Sequence, residues 1–378
     1  MRSVCFGGEG GDSACRYFRA ELPAAALVPF GWATHVSEYV LTPQTPDGLA
    51  EYGPRIRGWS GPGHEIEDPA DIVTLRLMDD VVVDPATKKG ADNYRMDNMA
   101  AEIRRARDDG QIVLYDIDDD LWHLPEWSPA ARAMHKMVPC ARACDLDVIG
   151  ANIAACDGVI TSTDYLAGVL RERFDVPVHV LRPGIDPGVY LPKTKDRPLR
   201  VGWMGSMSHH LPHLRTMQMA LDVLTKYDAE FVHLGRITGD NSEVLLHELP
   251  CRVRHLPWGG ISELPAKLAE VDIGIIPRVP EVFNEGQSVT SGLQYAASGT
   301  PFVVSASTEY ETLAREGIGE VARTFVAWRQ RLEALLSSER RRHDEAESIK
   351  DLAARRYGPE ATGRRYADVF ERLFRGGC

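Results

Sequence analysis

Four places along the chain bring together residue types that could do chemistry. The first is Asp116, Asp118, Asp119 and Asp120 with His123, directly after the apolar run Ile112 to Tyr115. Carboxylates clustered at the C-terminal end of a strand stand where α/β folds place ligands. They suit a hard cation, and Asp after a strand equally suits the N-cap of the next helix. The second is Ser288, which stands as the N-cap of a helix over Val289–Ser298. The amides bared there, that of Val289 among them, and the positive end of the helix dipole would suit an anion such as a diphosphate. Most strand–helix–strand units of this kind bind nothing. The third is the turn Gly205-Ser206, followed by Ser208, His209, His210 and His213. Glycine there lets backbone approach a phosphate closely. The histidines suit a surface or helix-capping role better than a metal cluster. The fourth is Arg16 and Arg19, which either meet phosphate or line a solvated helix face.

These residues need elements to hold them. The apolar run Ile273 to Pro277 predicts a buried parallel strand, Pro280 to Gln287 a polar loop, and Phe302 to Val304 the next strand. Gly299 is the expected helix stop, with Pro301 beyond it. Further strands are predicted at residues 2–8, 35–41, 71–75, 111–116, 157–163, 177–181, 199–204, 230–234 and 253–256. Helices are predicted from Ser13 onward, and over 94–109, 148–157, 165–174, from about 212, and over 264–270, 325–337, 339–356 and 359–375. The Pro/Gly-rich segment Thr42 to Pro69 is an irregular connection, and after Ser305 the pattern weakens until Phe325. Trp258, just after a strand, could stack on a base or simply pack. The glycines from Gly7 to Gly11 do not fit the dinucleotide fingerprint, because the third position falls on Ser13. His135, Cys140 and Cys144 match no zinc spacing and Pro139 interrupts them, which favours structural cysteines.

Length and composition limit the classes. The 378 residues suffice for two domains, and the charged run Pro192 to Pro198 is a linker by composition. No apolar run reaches the roughly 18 residues that span a bilayer, and the N-terminus has no signal-peptide core, so a cytoplasmic location is expected. Seven cysteines, an odd number, predict reduced thiols rather than a disulfide framework. A net charge of −12 argues against a broad nonspecific nucleic-acid surface. Arg340 to Arg342, interrupted by nearby acids, predict a solvated helix face.

One stretch carries a resemblance. Phe283-Asn284-Glu285-Gly286-Gln287-Ser288, then Leu293-Gln294-Tyr295-Ala296-Ala297-Ser298-Gly299-Thr300-Pro301, resembles the donor-binding segment of retaining GT-B glycosyltransferases of the family 4 type (glycosyl transferases group 1). The family's usual form is close to F-N-x-G-K-S, then L-E-Y-A-A-x-G-x-P. Gln287 stands at the usual Lys and Gln294 at the usual Glu, and Glu285 lies one place out of register with the sugar-contacting carboxylate. Arg16 to Arg19, the Asp116–Trp122 run, Arg182 to Asp186 and Gly202 to His209 are similar to further family segments.

The resemblance implies an α/β GT-B fold: two Rossmann-like, doubly wound domains facing a cleft, with the C-terminal helix crossing back to the N-terminal domain. An acceptor domain over 1–190 plus 359–378 and a donor domain over 191–358 are expected. It also adds a third reading of the acids, a line on the acceptor side with Asp118, Asp119 and His123 in the cleft. It implies transfer of a sugar from a nucleoside diphosphate sugar to an acceptor hydroxyl, with retention and without a metal or other cofactor. Gly205, Ser206, Ser288 and Val289 would hold the diphosphate with Arg278 as counter-charge. Gln287 would stand at the same phosphates, Gln294 at the ribose, Trp258 beside the base and Glu285 at the sugar. The acceptor, whether glycan, protein, small molecule or modified nucleic acid, stays open. So do three other functions: a nucleotide-sugar epimerase, a non-catalytic nucleotide-sugar-binding module, and a transferase acting on modified DNA.

Overall fold

The computed structural model describes residues 1–7, 12–37, 70–76, 94–126, 141–195, 197–206, 212–237 and 246–376. The Thr42–Pro69 connection, His135, Cys140, His209 and His210 lie outside the described residues, as does the side chain of Cys144. The chain divides into two compact units. The N-terminal strands and the helix Pro359–Phe374 form the first, and Gly184–Gly358 the second.

The first unit holds β1 (Ser3–Gly7), β2 (Ala33–Ser37), β3 (Ile72–Leu75), β4 (Ile112–Asp116), β5 (Gly158–Thr161) and β6 (Val178–Val180). They form one parallel sheet in the order β2-β1-β3-β4-β5-β6. β3, β4 and β5 carry nearly continuous apolar runs, as strands covered on both faces require. Helix Pro359–Phe374 buries Thr362, Gly363, Tyr366, Ala367, Val369 and Phe370, one stripe at helical spacing. Tyr366 and Phe370 pack on Phe6 and Trp32, with ring centroids 5.5–6.3 Å apart. Gly363 permits the close approach to helix Leu22–Leu27, because a Cβ there would lie 2.0 Å from the Ala26 carbonyl oxygen. The segment after Ser13 is less regular than its composition predicts. Ser13 caps it as expected, its Oγ accepting the Arg16 N–H at 3.0 Å, but Tyr17–Glu21 forms a π-turn. That wider turn carries Arg19 inward.

The second unit holds β7 (Arg200–Met204), β8 (Glu230–Gly235), β9 (Arg252–Pro257), β10 (Ile273–Ile276), β11 (Phe302–Ser305) and β12 (Glu320–Ala322), again all parallel, in the order β12-β11-β10-β7-β8-β9. The winding reverses between β7 and β10, and open α/β sheets bind ligands outside the strand ends at such a point. Helix Thr290–Ala297 crosses this seam. Tyr295 lies over Gly274 of β10 and donates its hydroxyl to the Gly202 carbonyl of β7 at 2.8 Å. Gly299 ends the helix at φ 64°, with its N–H on Ala296 and that of Thr300 on Tyr295, the paired bonds of a glycine stop.

Three local expectations are corrected. The helix starts at Thr290 with Val289 as its N-cap residue, because the Ser288 hydroxyl bonds to Thr290 Oγ1 at 2.8 Å instead of capping. The expected loop contains a short helix, Val282–Glu285. Helix Thr308–Arg315 and strand β12 occupy the stretch where the pattern weakens. The helix offers only Tyr310 and Leu313 as buried apolar residues, and the strand is three residues long, too little periodicity to see in one dimension.

Candidate functional site

The register Ile275↔Trp203 sets the chain leaving β10 at Arg278 beside the chain leaving β7 at Gly205 and Ser206. His213 joins the two exits. It is buried, and its Nδ1 accepts the N–H of Val279 at 3.0 Å. It is therefore neither a surface nor a capping histidine. Burial, and then the charge of Arg278, push its pKa down to about 4, which keeps the ring neutral and able to accept.

Arg278 donates its backbone N–H to Ser305 Oγ at 2.9 Å and holds its guanidinium 5.6 Å from the Tyr310 ring centroid. Among the described residues, three buried polar atoms on these segments have no hydrogen-bond partner, Arg278 Nε, Ser307 Oγ and Asn284 Oδ1, while the buried Tyr310 hydroxyl interacts with Arg278. Buried polar atoms are nearly always paired, so a concentration of unpaired ones marks a place that water or ligand completes. Among the described residues no side chain caps helix Thr290–Ala297, so its first-turn amides add positive potential at the same edge of the sheet. Ser288 and Gln287 are half-buried just ahead of it, and Gln294 is buried, as are its neighbours Leu293 and Tyr295.

Two further donor-side candidates have partners of their own. Glu285 is engaged: its Oε2 accepts the Thr308 N–H and hydroxyl, each at 2.9 Å. It serves as the cap that Ser307 does not provide for helix Thr308–Arg315. Trp258 follows β9, two strands from β7, and its backbone N–H donates to the Gly235 carbonyl at 3.2 Å.

In the first unit the acids take different partners. Asp116 is buried and receives Arg19 through both oxygens at 2.6–3.1 Å, while Arg19 also donates to the Leu181 carbonyl at 2.9 Å. Arg19 is thus neither a solvated side chain nor a free phosphate arm, because the π-turn delivers it to a buried carboxylate. Arg16 pairs with Glu21 at 2.6 Å. Asp118 accepts from Arg76 at 2.7 Å, an arginine whose side chain is only 3% exposed. Burial opposes ionisation of Asp118, but Arg76 and then Arg19 outweigh it and hold the carboxyl below its ordinary range. Asp120 is the cap: it accepts the N–H groups of Trp122 and His123 at 3.2 and 3.3 Å and meets His123 Nδ1 at 2.6 Å. Asp119 is half-buried and His123 exposed. Among the described residues no three His, Cys, Asp or Glu side chains converge as metal ligands would.

No family model and no curated protein sequence matches the chain. Solved structures do. Sucrose-phosphate synthase from Thermosynechococcus elongatus superposes with a TM-score of 0.60 at 14% identity, covering 100% of both chains. Anabaena HepE, solved in complex with UDP and glucose, gives 0.60 at 13% identity over 99% of this chain and 100% of that one. Staphylococcus aureus TarM, solved with UDP and α-GlcNAc-glycerol, gives 0.52 at 12% identity; this chain spans about half of it, 51%, with 69% of its own length. The fold is GT-B.

Within the GT-B frame, sequence reasoning located the exits of β7 and β10 and the helix at Thr290. It missed His213 as a tie, quoted Asn284 only as part of a motif, and missed Ser307, Tyr310 and Arg76 altogether. The available signal was polar residues inside apolar runs, which becomes meaningful once strand order sets them next to each other. Among the described residues no helix is long and apolar enough to cross a membrane.

Proposed function

We propose that this GT-B protein moves a sugar from a nucleoside diphosphate sugar to an acceptor hydroxyl, with retention of anomeric configuration. The observation that carries the reading is the set of buried polar atoms around Arg278 that have no partner among the described residues, beside the N-terminus of helix Thr290–Ala297, at the winding reversal of the second sheet. A diphosphate suits the donors among them, Arg278 and the Ser307 hydroxyl, whereas the Asn284 carbonyl oxygen suits a hydroxyl of the sugar. The diphosphate charge meets Arg278 and the helix amides, and the backbone at Gly205 and Ser206 closes on it from β7. HepE in complex with UDP-glucose supports a uridine donor on this fold.

Catalysis in this reading rests on donors aimed at the charge that develops on the leaving diphosphate, where one such hydrogen bond is worth about 3–4 kcal/mol. Positioning of the acceptor hydroxyl adds to it. Gln294 serves the ribose and Trp258 the base. The positive charge comes from Arg278 and the helix amides, so donor binding is expected to survive EDTA. The acidic total favours a small-molecule, glycan or protein acceptor over DNA. A cytoplasmic location goes with Cys5, Cys156 and Cys251 being free thiols.

A thermal-shift screen of UDP-, GDP- and ADP-sugars tests the reading, since a ligand bound to the native state raises Tm. One donor should raise Tm, and Arg278→Ala should remove the shift. Release of the nucleoside diphosphate should then depend on an added acceptor. No shift with any donor, or full affinity in the alanine variant, sinks the proposal. Binding without turnover points to a binding module, and an altered sugar released without acceptor points to an epimerase.

A further inference from the structure

Three aromatic rings stand abreast at the C-terminal end of the second sheet: Trp203 on β7, His233 on β8 and His255 on β9, paired Trp203↔His233 and His233↔His255. His233 is fully buried, with its ring centroid 5.2 Å from that of Trp203 and 5.0 Å from that of His255. Its Nε2 lies 2.8 Å from the Gly205 carbonyl oxygen, and its Nδ1 lies 3.0 Å from Nδ1 of His255.

This arrangement admits one placement of protons. A carbonyl oxygen only accepts, so His233 Nε2 carries a hydrogen. Burial disfavours a charged ring and lowers the His233 pKa to about 4. Its Nδ1 is then a bare lone pair, and the hydrogen between the rings belongs to His255 Nδ1. That holds whether His255 is neutral or charged, because its Nε2 is the atom that gains or loses the proton.

The target of this chain is a backbone group in the turn after β7. Gly235 leaves room for it: a Cβ there would lie 2.0 Å from the Gly205 oxygen. The Gly205 N–H is held as well, on the Leu234 carbonyl at 3.0 Å. In a planar trans peptide the C=O and the following N–H point in opposite directions. Holding the Gly205 oxygen against His233 therefore turns the Ser206 amide edge away from β8. A turn containing glycine does not keep one peptide orientation unaided.

We infer that His233, backed by His255, is a positioning residue for the donor diphosphate, fixing the Gly205–Ser206 peptide through the Gly205 carbonyl. This rests on the second unit being the donor site. His233→Leu removes the clamp, whereas His233→Gln keeps an N–H where Nε2 stood. His255→Phe keeps the ring and removes the backing donor.

Two measurements test it. Histidine ¹⁵N spectra of the unliganded protein should show His233 as the Nε2–H tautomer from pH 8 to pH 5.5; an Nδ1–H or charged His233 at pH 7 overturns the inference. Affinities for UDP, GDP and ADP should be compared with those for uridine, guanosine and adenosine. For the nucleotide that binds the wild type, His233→Leu should weaken the diphosphate about tenfold and the matching nucleoside less than about twofold. His255→Phe should show a smaller loss of the same kind, and His233→Gln should restore most of the affinity. Equal loss for diphosphate and nucleoside, or no loss, defeats the positioning role and leaves the donor reading standing. If the wild type binds none of the three diphosphates, the donor reading fails and this inference fails with it.

Discussion

Glu285 and Thr308 are joined twice, the carboxylate Oε2 accepting both the backbone N–H and the hydroxyl of Thr308 at 2.9 Å. The residue whose sequence position suggests sugar contact is also the cap of the next helix. Glu285→Ala should cost about 1–2 kcal/mol in urea denaturation, as lost helix caps do. Glu285→Gln keeps an acceptor oxygen and should recover most of the stability and most of the turnover. A collapse of turnover in the Gln variant with stability intact would place the carboxylate on the substrate instead.

The Arg19–Asp116 pair is buried on both sides, at 3% and 4% side-chain exposure. Breaking such a pair leaves a lone buried charge, which costs about 3–5 kcal/mol. Arg19→Met and Asp116→Asn should each lower stability by an amount in that range. The double variant Arg19→Met with Asp116→Leu should regain much of it. Equal stability of wild type and either single variant in guanidinium titrations would contradict the buried pairing.

His213 makes stability depend on pH. Its folded pKa of about 4 lies below the ordinary 6.5, with burial as the main cause. As the pH falls, the unfolded chain takes up this proton first. The contribution is therefore complete above about pH 6.5 and is lost progressively toward pH 4. His213→Asn keeps an acceptor for the Val279 N–H and removes the titration. Between pH 7 and pH 4.5 the variant should lose about 2–3 kcal/mol less than the wild type. Parallel stability curves for the two proteins would show that His213 does not titrate in this way.

Two glycines should respond oppositely to alanine. At Gly274 a Cβ would lie 2.7–2.8 Å from the Tyr295 ring, so the helix over the seam must shift. A loss of about 1–3 kcal/mol is expected, together with a weaker donor-induced rise in Tm. At Gly168, inside helix Asp164–Arg173, nothing lies within 4 Å of the added carbon. Gly168→Ala should add about 0.5–1 kcal/mol. Thermal melts of the two variants decide both.

Most of the element order of both units could be seen in the chain, because it depends on neighbours close in sequence; helices Val282–Glu285 and Thr308–Arg315 and strand β12 could not. Apolar runs marked β3, β4, β5, β10 and β11, and the hydroxyls of Ser13, Thr163, Thr324 and Ser338 each cap the helix that follows them. Gly299 stops its helix through bonds spanning five residues at most. The roles of the chemical side chains were not visible in the same way. Arg19 meets Asp116 across 97 positions, His213 meets Val279 across 66, and Glu285 meets Thr308 across 23. Those distances close only when the strands take the orders β2-β1-β3-β4-β5-β6 and β12-β11-β10-β7-β8-β9. A run of acids thus looked like one group but became an ion pair at Asp116, another at Asp118 and a cap at Asp120. Periodicity and capping are short-range preferences of the backbone. Which charge neutralises which is set by sheet topology, since burial removes water as the competing partner and leaves each polar group to the neighbour the fold supplies.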